Sequence, residues 1–212
     1  MVKKNMTSEL KVFGTDGVRG KVGEHPMTVD FVSRLAGAAA SVLAPQGGTV
    51  VVGKDTRISG YMFESALEAA LVASGLDVML LGPFPTPGIS FTTKDCNANF
   101  GVIISASHNS YEYNGLKILN SLGEKIDKRI EIDIENQLSK DPITHTADTL
   151  GRATRNPDAR GNYMNFISGI FTQPQPLRKI KVVVDCSHGA AYKIAPRMLS
   201  ALGADVIPIG CS

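Results

Sequence analysis

Gly101-Val-Ile-Ile-Ser-Ala-Ser-His-Asn-Ser-Tyr-Glu-Tyr-Asn-Gly-Leu-Lys117 is the stretch that decides how this chain folds. Together with Phe100 it begins as an apolar run ending at Ile104, too short for a helix and of the kind expected of a buried strand. Within one residue the character switches to Ser105, Ala106, Ser107, His108 and Asn109. Small hydroxyl residues therefore fall at the carboxyl end of a buried strand, the edge where open α/β sheets bind ligands. Asn114-Gly115 predicts a tight turn, and Lys117 lies on the apolar segment that follows, expected as a strand over 116–119.

Working outward from this stretch, strands and helices alternate. Val32, Leu35, Ala36, Ala39 and Leu43 recur at helical spacing behind Thr28, a suitable N-cap, so a helix is expected over about 29–44. Thr49 to Gly53 reads as a buried strand, and Lys54-Asp-Thr-Arg57 lies at its ligand edge. A helix opening at Ser59 and closed by Gly75 follows, then a strand over 77–82. Pro83, Pro85 and Pro87 make a rigid turn in which Thr86 can cap a short helix. A further helix is expected over about 127–138. Upstream, Gly14-Thr-Asp-Gly-Val-Arg-Gly20 reads as a glycine-rich loop whose Arg19 can fork onto phosphate oxygens. Residues 1–10 are polar and expected to fray.

From Ser139 to Arg160 the sequence turns polar and rich in turn residues, which predicts a domain boundary. Residues 1–150 are read as one α/β domain and 160–212 as the beginning of another. A helix is expected over 162–171. Lys179 to Asp185, a helix bearing Ile194, Met198 and Leu202, and Asp205 to Gly210 then repeat weakly the strand–helix–strand pattern of residues 49–82. A lone unit of this kind cannot cover both faces of its sheet, so it is expected to lean on the first domain or to be partly mobile. The fold class expected is a mixed α/β/α three-layer domain followed by a truncated second α/β domain.

Composition narrows the function. With 43% hydrophobic and 20% charged residues the chain is ordinary globular protein. A net charge of +2 without a basic block excludes nucleic-acid binding as the expected role. No apolar run approaches a membrane span, and the start lacks the apolar segment of a secretory signal. Cys96, Cys186 and Cys211 are odd in number and widely spaced, so reduced thiols in a cytoplasmic protein are expected. Neither Gly-x-Gly-x-x-Gly nor a P-loop pattern occurs, which argues against a nucleotide-binding domain.

Ser105-Ala-Ser-His-Asn109 resembles the phosphoserine loop of the α-D-phosphohexomutases. Phe13 to Gly20, Gly53 to Gly60 and Leu81 to Pro87 resemble three more motifs of that family, in the same order. The resemblance runs from about Lys11 to the last residue. It implies that Ser107 carries a phosphoryl group, that Lys117 transfers protons, and that Arg19 and His108 help hold the phosphate of a phosphosugar. The family has four domains, so an amino-terminal fragment ending inside the second is expected. The family also uses Mg2+, held between the serine phosphate and three aspartates of an Asp-Gly-Asp-x-Asp-Arg loop. That run does not occur here, so Ser107, through its phosphate, is the one metal ligand expected, and little turnover is expected of the chain alone. Ser110 stands where the family usually has Pro, which loosens the turn after Asn109. Ser105 to Asn109 and Ser59-Gly-Tyr-Met-Phe-Glu-Ser65 favour the glucosamine-phosphate branch over those acting on mannose or glucose phosphates. A non-catalytic remnant, or half of a split enzyme paired with a complementary carboxyl-terminal chain, stays open.

Overall fold

The computed structural model describes residues 10–211; the expected fraying of the polar start falls almost wholly on residues outside them. The elements are β1 (Val18–Lys21), α1 (Val29–Leu43), β2 (Gly48–Lys54), α2 (Ile58–Ala73), β3 (Leu76–Pro83), α3 (Thr86–Asp95), β4 (Phe100–Ile104) and β5 (Tyr113–Leu119). They continue with α4 (Lys128–Gln137), β6 (Ala153–Arg155), α5 (Ala159–Gly169), β7 (Lys181–Asp185), α6 (Ala195–Ala201) and β8 (Asp205–Ile209).

The first six strands form one mixed sheet in the order β1-β5-β4-β2-β3-β6. Strands β4, β2, β3 and β6 are mutually parallel, while β5 runs antiparallel to both β4 and β1. Val50, Val51 and Val52 are all fully buried, because a central parallel strand is covered on both faces. Val50 and Val52 pack with Leu35, Phe63, Leu67 and Leu71 of α1 and α2. Val51 faces the other way, toward Ile89 of α3 and Tyr163 of α5. The result is the three-layer α/β/α arrangement expected. Capping fixes two of the helices: Thr28 Oγ1 accepts from Phe31 N at 3.3 Å, and Asp127 Oδ1 from Ile130 N at 2.9 Å.

In the first sheet and its helices the structure differs from expectation at four places. Structure begins inside the expected glycine-rich loop, where Val18–Lys21 pair with Tyr113–Leu116 as an edge strand. Asn114-Gly115 is not a turn but lies within β5, and the chain reverses between Ser107 and Glu112 instead. The short helix α3 is capped by Pro85, with Thr86 already its first residue. Residues 153–155, within the stretch expected to be irregular, form β6 and close the sheet beside β3.

β7 and β8 pair in parallel as a separate two-stranded sheet. Val183, Ile207 and Ile209 are 60%, 45% and 49% exposed, so one face of this ribbon is uncovered among the described residues. The unit leans on the first sheet as expected: Ile194 is buried in the core beneath α3, and Thr56 Oγ1 donates to His188 O at 2.6 Å. Helix α6 is shorter than the sequence suggests, with Pro196 in its first turn. No helix among the described residues is long and apolar enough to cross a membrane.

Candidate active site

Parallel pairing of β2 with β4 sets Lys54 opposite Ile104. The next residue on each strand, Asp55 and Ser105, therefore emerge side by side at the carboxyl edge, with Asp55 N donating to Ile104 O at 3.0 Å. Ser105 Oγ donates to Asp55 Oδ2 at 2.8 Å and accepts from Ser107 N at 3.0 Å. The loop from Ser105 to Glu112 is built on that contact.

Ser107 is exposed and sits at a φ of 57°. A non-glycine residue in this left-handed region is strained by about 1–2 kcal/mol, so its surroundings must hold it there. Its N–H is bound by Ser105 and its carbonyl accepts from Arg57 Nη2 at 3.0 Å. Among the described residues no hydrogen bond engages its Oγ. The backbone of Ser107 is thus fixed on both sides while its hydroxyl faces outward unencumbered. His108 is exposed beside it.

Lys117 lies on β5 opposite Ile103, and Arg19 on β1 opposite Gly115. The three strands stand edge to edge, so both cations come from the side of the sheet next to the Ser107 loop. Asp16 joins them. Its Oδ1 lies 2.6 Å from Lys117 Nζ, and its Oδ2 pairs with Arg19. Partial burial pushes the Asp16 carboxyl up, but the hydrogen bond and charge of Lys117, with Arg19 and Lys125, outweigh it. The carboxyl is held below its ordinary value of 3.8. Arg19 Nε is buried with no hydrogen-bond partner among the described residues, which leaves the guanidinium short of an acceptor.

Two glycines permit this approach. Gly17 has a φ of 88°, and a Cβ there would lie 2.2 Å from Leu116 O, so the Asp16 turn presses directly on the strand that carries Lys117. At Gly115 a Cβ would meet Arg19 Cγ at 2.7 Å and Ser105 O at 3.0 Å. Lys125 braces the turn from outside, donating to Thr15 O at 2.9 Å and pairing with Glu131 at 2.9 Å.

Of the residues singled out from sequence, Lys117 and Arg19 are brought together through one carboxylate, and Ser107 and His108 share one loop. No direct hydrogen bond joins the two pairs among the described residues. Asp16, Asp55 and Arg57 were not singled out as site residues. Asp16 and Arg19 stand three residues apart, a spacing that could have signalled their pairing; the expected place of Lys54 to Arg57 at the ligand edge puts Arg57 near the Ser107 loop but does not signal its contacts. An exposed hydroxyl on a braced loop can carry a group with charge of about −2, such as a phosphoryl group.

Comparisons with known proteins point the same way. Residues 10–144 match the alpha/beta/alpha domain I of phosphoglucomutase/phosphomannomutase. A phosphoglucosamine mutase of Shewanella oneidensis is 51% identical over 204 residues, covering 96% of this chain and 46% of the relative. One from Burkholderia mallei is 51% identical over 208 residues, covering 94% and 46%. Among solved structures, a putative phosphomannomutase from Thermus thermophilus superposes with a TM-score of 0.78 at 29% identity, over 95% of this chain and 46% of that one. A phosphoglucomutase/phosphomannomutase family protein from Burkholderia thailandensis gives 0.78 at 25% identity, over 95% and 44%. The chain spans about half the length of the curated relatives it matches.

Proposed function

The chain belongs to the phosphoglucomutase/phosphomannomutase family, and from that premise we propose that it carries the phosphoryl-accepting part of a phosphoglucosamine mutase. In this reading the complete enzyme interconverts glucosamine 6-phosphate and glucosamine 1-phosphate, in the cytoplasm, for cell-wall precursor synthesis. Ser107 is the carrier. Its Oγ–P bond breaks as the phosphoryl group passes to the free hydroxyl of the sugar phosphate, and it re-forms with the phosphoryl group from the sugar's other position. Lys117 moves the proton between the sugar hydroxyl and the serine oxygen. Arg19 and His108 hold the phosphate. Positioning and charge stabilisation supply most of the rate in such transfers.

The observation that carries this reading is the free hydroxyl of Ser107 on a loop whose backbone is pinned on both sides. The 51% identity to phosphoglucosamine mutases favours glucosamine phosphate over mannose or glucose phosphate.

The family's Mg2+ does not fit the donors of this chain alone. Among the described residues no group of three His, Cys, Asp or Glu could hold a metal. The carboxylates nearest the loop are already engaged, Asp16 by Lys117 and Arg19, and Asp55 by Arg57 and Ser105. A serine phosphate alone makes a poor magnesium site, so no step is assigned to the ion here. We accordingly propose negligible turnover by residues 1–212 alone, and a need for the carboxyl-terminal segment that the relatives carry, whether joined or as a separate chain.

A fusion of this chain to the carboxyl-terminal part of the Shewanella oneidensis relative tests the proposal. With glucosamine 6-phosphate, a hexose 1,6-bisphosphate and magnesium, the fusion is expected to isomerise the sugar and gain one phosphoryl group on Ser107 by intact and peptide mass. The same fusion with Ser107→Ala should do neither. A folded fusion that turns over with Ser107 unmodified, or with the phosphoryl group elsewhere, overturns it.

A further inference from the structure

We propose that Arg57 is a positioning residue for Ser107: a cation at the ligand edge whose donors are all committed to the loop and its anchors, with none left for phosphate. The inference rests on Ser107 being the phosphoryl acceptor. An arginine beside a phosphate-carrying loop would ordinarily be read as a phosphate ligand. Counting its donors gives a different answer.

A guanidinium has five N–H donors. Arg57 Nε donates to Asp55 Oδ2 at 2.9 Å. Nη1 donates to Ser110 O at 2.6 Å and to Tyr113 O at 3.2 Å. Nη2 donates to Ser107 O at 3.0 Å and to Asn109 O at 2.7 Å. All five are committed, three of them to backbone carbonyls of the loop and a fourth to that of Tyr113 at the start of β5, and the side chain is only 11% exposed. Arg19 is the opposite case, with a buried Nε that has no acceptor among the described residues.

The contacts close into a ring. Asp55 Oδ2 accepts from Arg57 and from the Ser105 hydroxyl, and the Ser105 oxygen accepts from Ser107 N–H. Arg57 in turn holds Ser107 O. Both polar backbone groups of Ser107 thus belong to one connected circuit, in which each bond polarises the next, and the left-handed backbone at Ser107 is kept where its hydroxyl points outward. Ser110 adds a reason for the clamp. Proline there would stiffen the chain by itself, whereas serine leaves the reversal to be held from outside, and Arg57 binds its carbonyl.

Charge alone cannot replace this geometry. Lysine has three donors on a point charge and no planar fork. A phosphate-binding role would survive Arg57→Lys in part; a positioning role would not. The chain itself, as wild type, Arg57→Lys, Arg57→Ala and Ser105→Ala, is suited to hydrogen-exchange mass spectrometry. Phosphoryl uptake at Ser107 from a hexose 1,6-bisphosphate, followed by intact mass, is the second readout. Both Arg57 variants are expected to speed exchange in residues 105–113 by at least about tenfold and slow any uptake by a similar factor, with residues 76–83 unchanged. Ser105→Ala, which keeps the charge, should give the same local signature should the Arg57 variants fail to fold. Wild-type exchange over 105–113 in Arg57→Lys, or faster exchange across the whole sheet in Ser105→Ala, overturns the proposal. If the wild-type chain takes up no phosphoryl group at all, the exchange result still decides the clamp, and the fusion described above decides the acceptor assignment.

Discussion

Asp16 Oδ1 lies 2.6 Å from Lys117 Nζ, while the other oxygen of the same carboxylate pairs with Arg19. One anion thus fixes the separation of two cations that come from different strands. Its carboxyl is held below the ordinary value of 3.8 in the folded chain. A carboxyl with a depressed folded value stabilises the fold above its unfolded pKa, and that contribution is lost as pH falls through the folded value. Asp16→Asn should therefore lower the urea midpoint modestly near neutral pH. The two midpoints should converge as the pH is taken below 3.8. A gap that persists unchanged into acid would mean that the pairing does not produce it.

Ser107 occupies a backbone region that glycine enters without penalty. Ser107→Gly should leave thermal stability unchanged or raise it by about 1 kcal/mol, because the relieved strain of about 1–2 kcal/mol is partly offset by the backbone entropy glycine loses on folding. Phosphoryl uptake by the fusion enzyme should vanish in the same variant. The stability change reads the backbone strain and the lost uptake reads the missing hydroxyl; a clear loss of stability would count against the strain.

Much of this fold could be read from the sequence, and the exceptions have physical causes. Val50 to Val52 and Phe100 to Ile104 stood out because strands buried on both faces need unbroken apolar runs. Asn114-Gly115 misled because the pair is a turn signal, whereas here it serves packing. Asn114 is fully buried with Nδ2 on Ser59 Oγ at 2.9 Å, and Gly115 lets β1 and the Ser105 backbone come close. Three residues of β6 are too few for any periodicity, and their pairing with β3 joins distant parts of the chain. The serine, histidine, lysine and arginine were singled out through a family resemblance; what holds them was not. The Asp16–Arg19 and Asp55–Arg57 pairs are local, but Lys117, Ser105 and the Ser107 loop are brought to them only by the sheet, and no local pattern records that.

Gly115→Ala tests how closely the three strands of the site are packed. The added methyl would sit 2.7 Å from Arg19 Cγ and 2.8 Å from Val18 O. One neighbour is backbone and cannot move without disturbing β1. A loss of about 1–3 kcal/mol is expected from overpacking, measured by chemical denaturation. Faster amide exchange should appear at residues 18–21, the strand that carries Arg19. A variant as stable as wild type would show that β1 can shift to accommodate the methyl group.

Lys54 and Glu64 form an ion pair at the end of β2 with side chains 1% and 5% exposed. Lys54 Nζ also lies 3.3 Å from the centre of the Tyr61 ring, so the ammonium is enclosed by protein. Glu64 Oε1 has no hydrogen-bond partner among the described residues, and the glutamate depends on Lys54 for compensation. Lys54→Met leaves a buried carboxylate without its cation, and a loss of about 3–5 kcal/mol is expected. Lys54→Met combined with Glu64→Leu removes both charges and should recover most of that loss. Lys54 immediately precedes Asp55, so the single variant should also loosen the Ser105–Asp55 contact and speed exchange at residues 105–113. If the double variant is no more stable than the single one, the cost lies in packing around the lysine stem and Tyr61, and the charge on Glu64 is not its source.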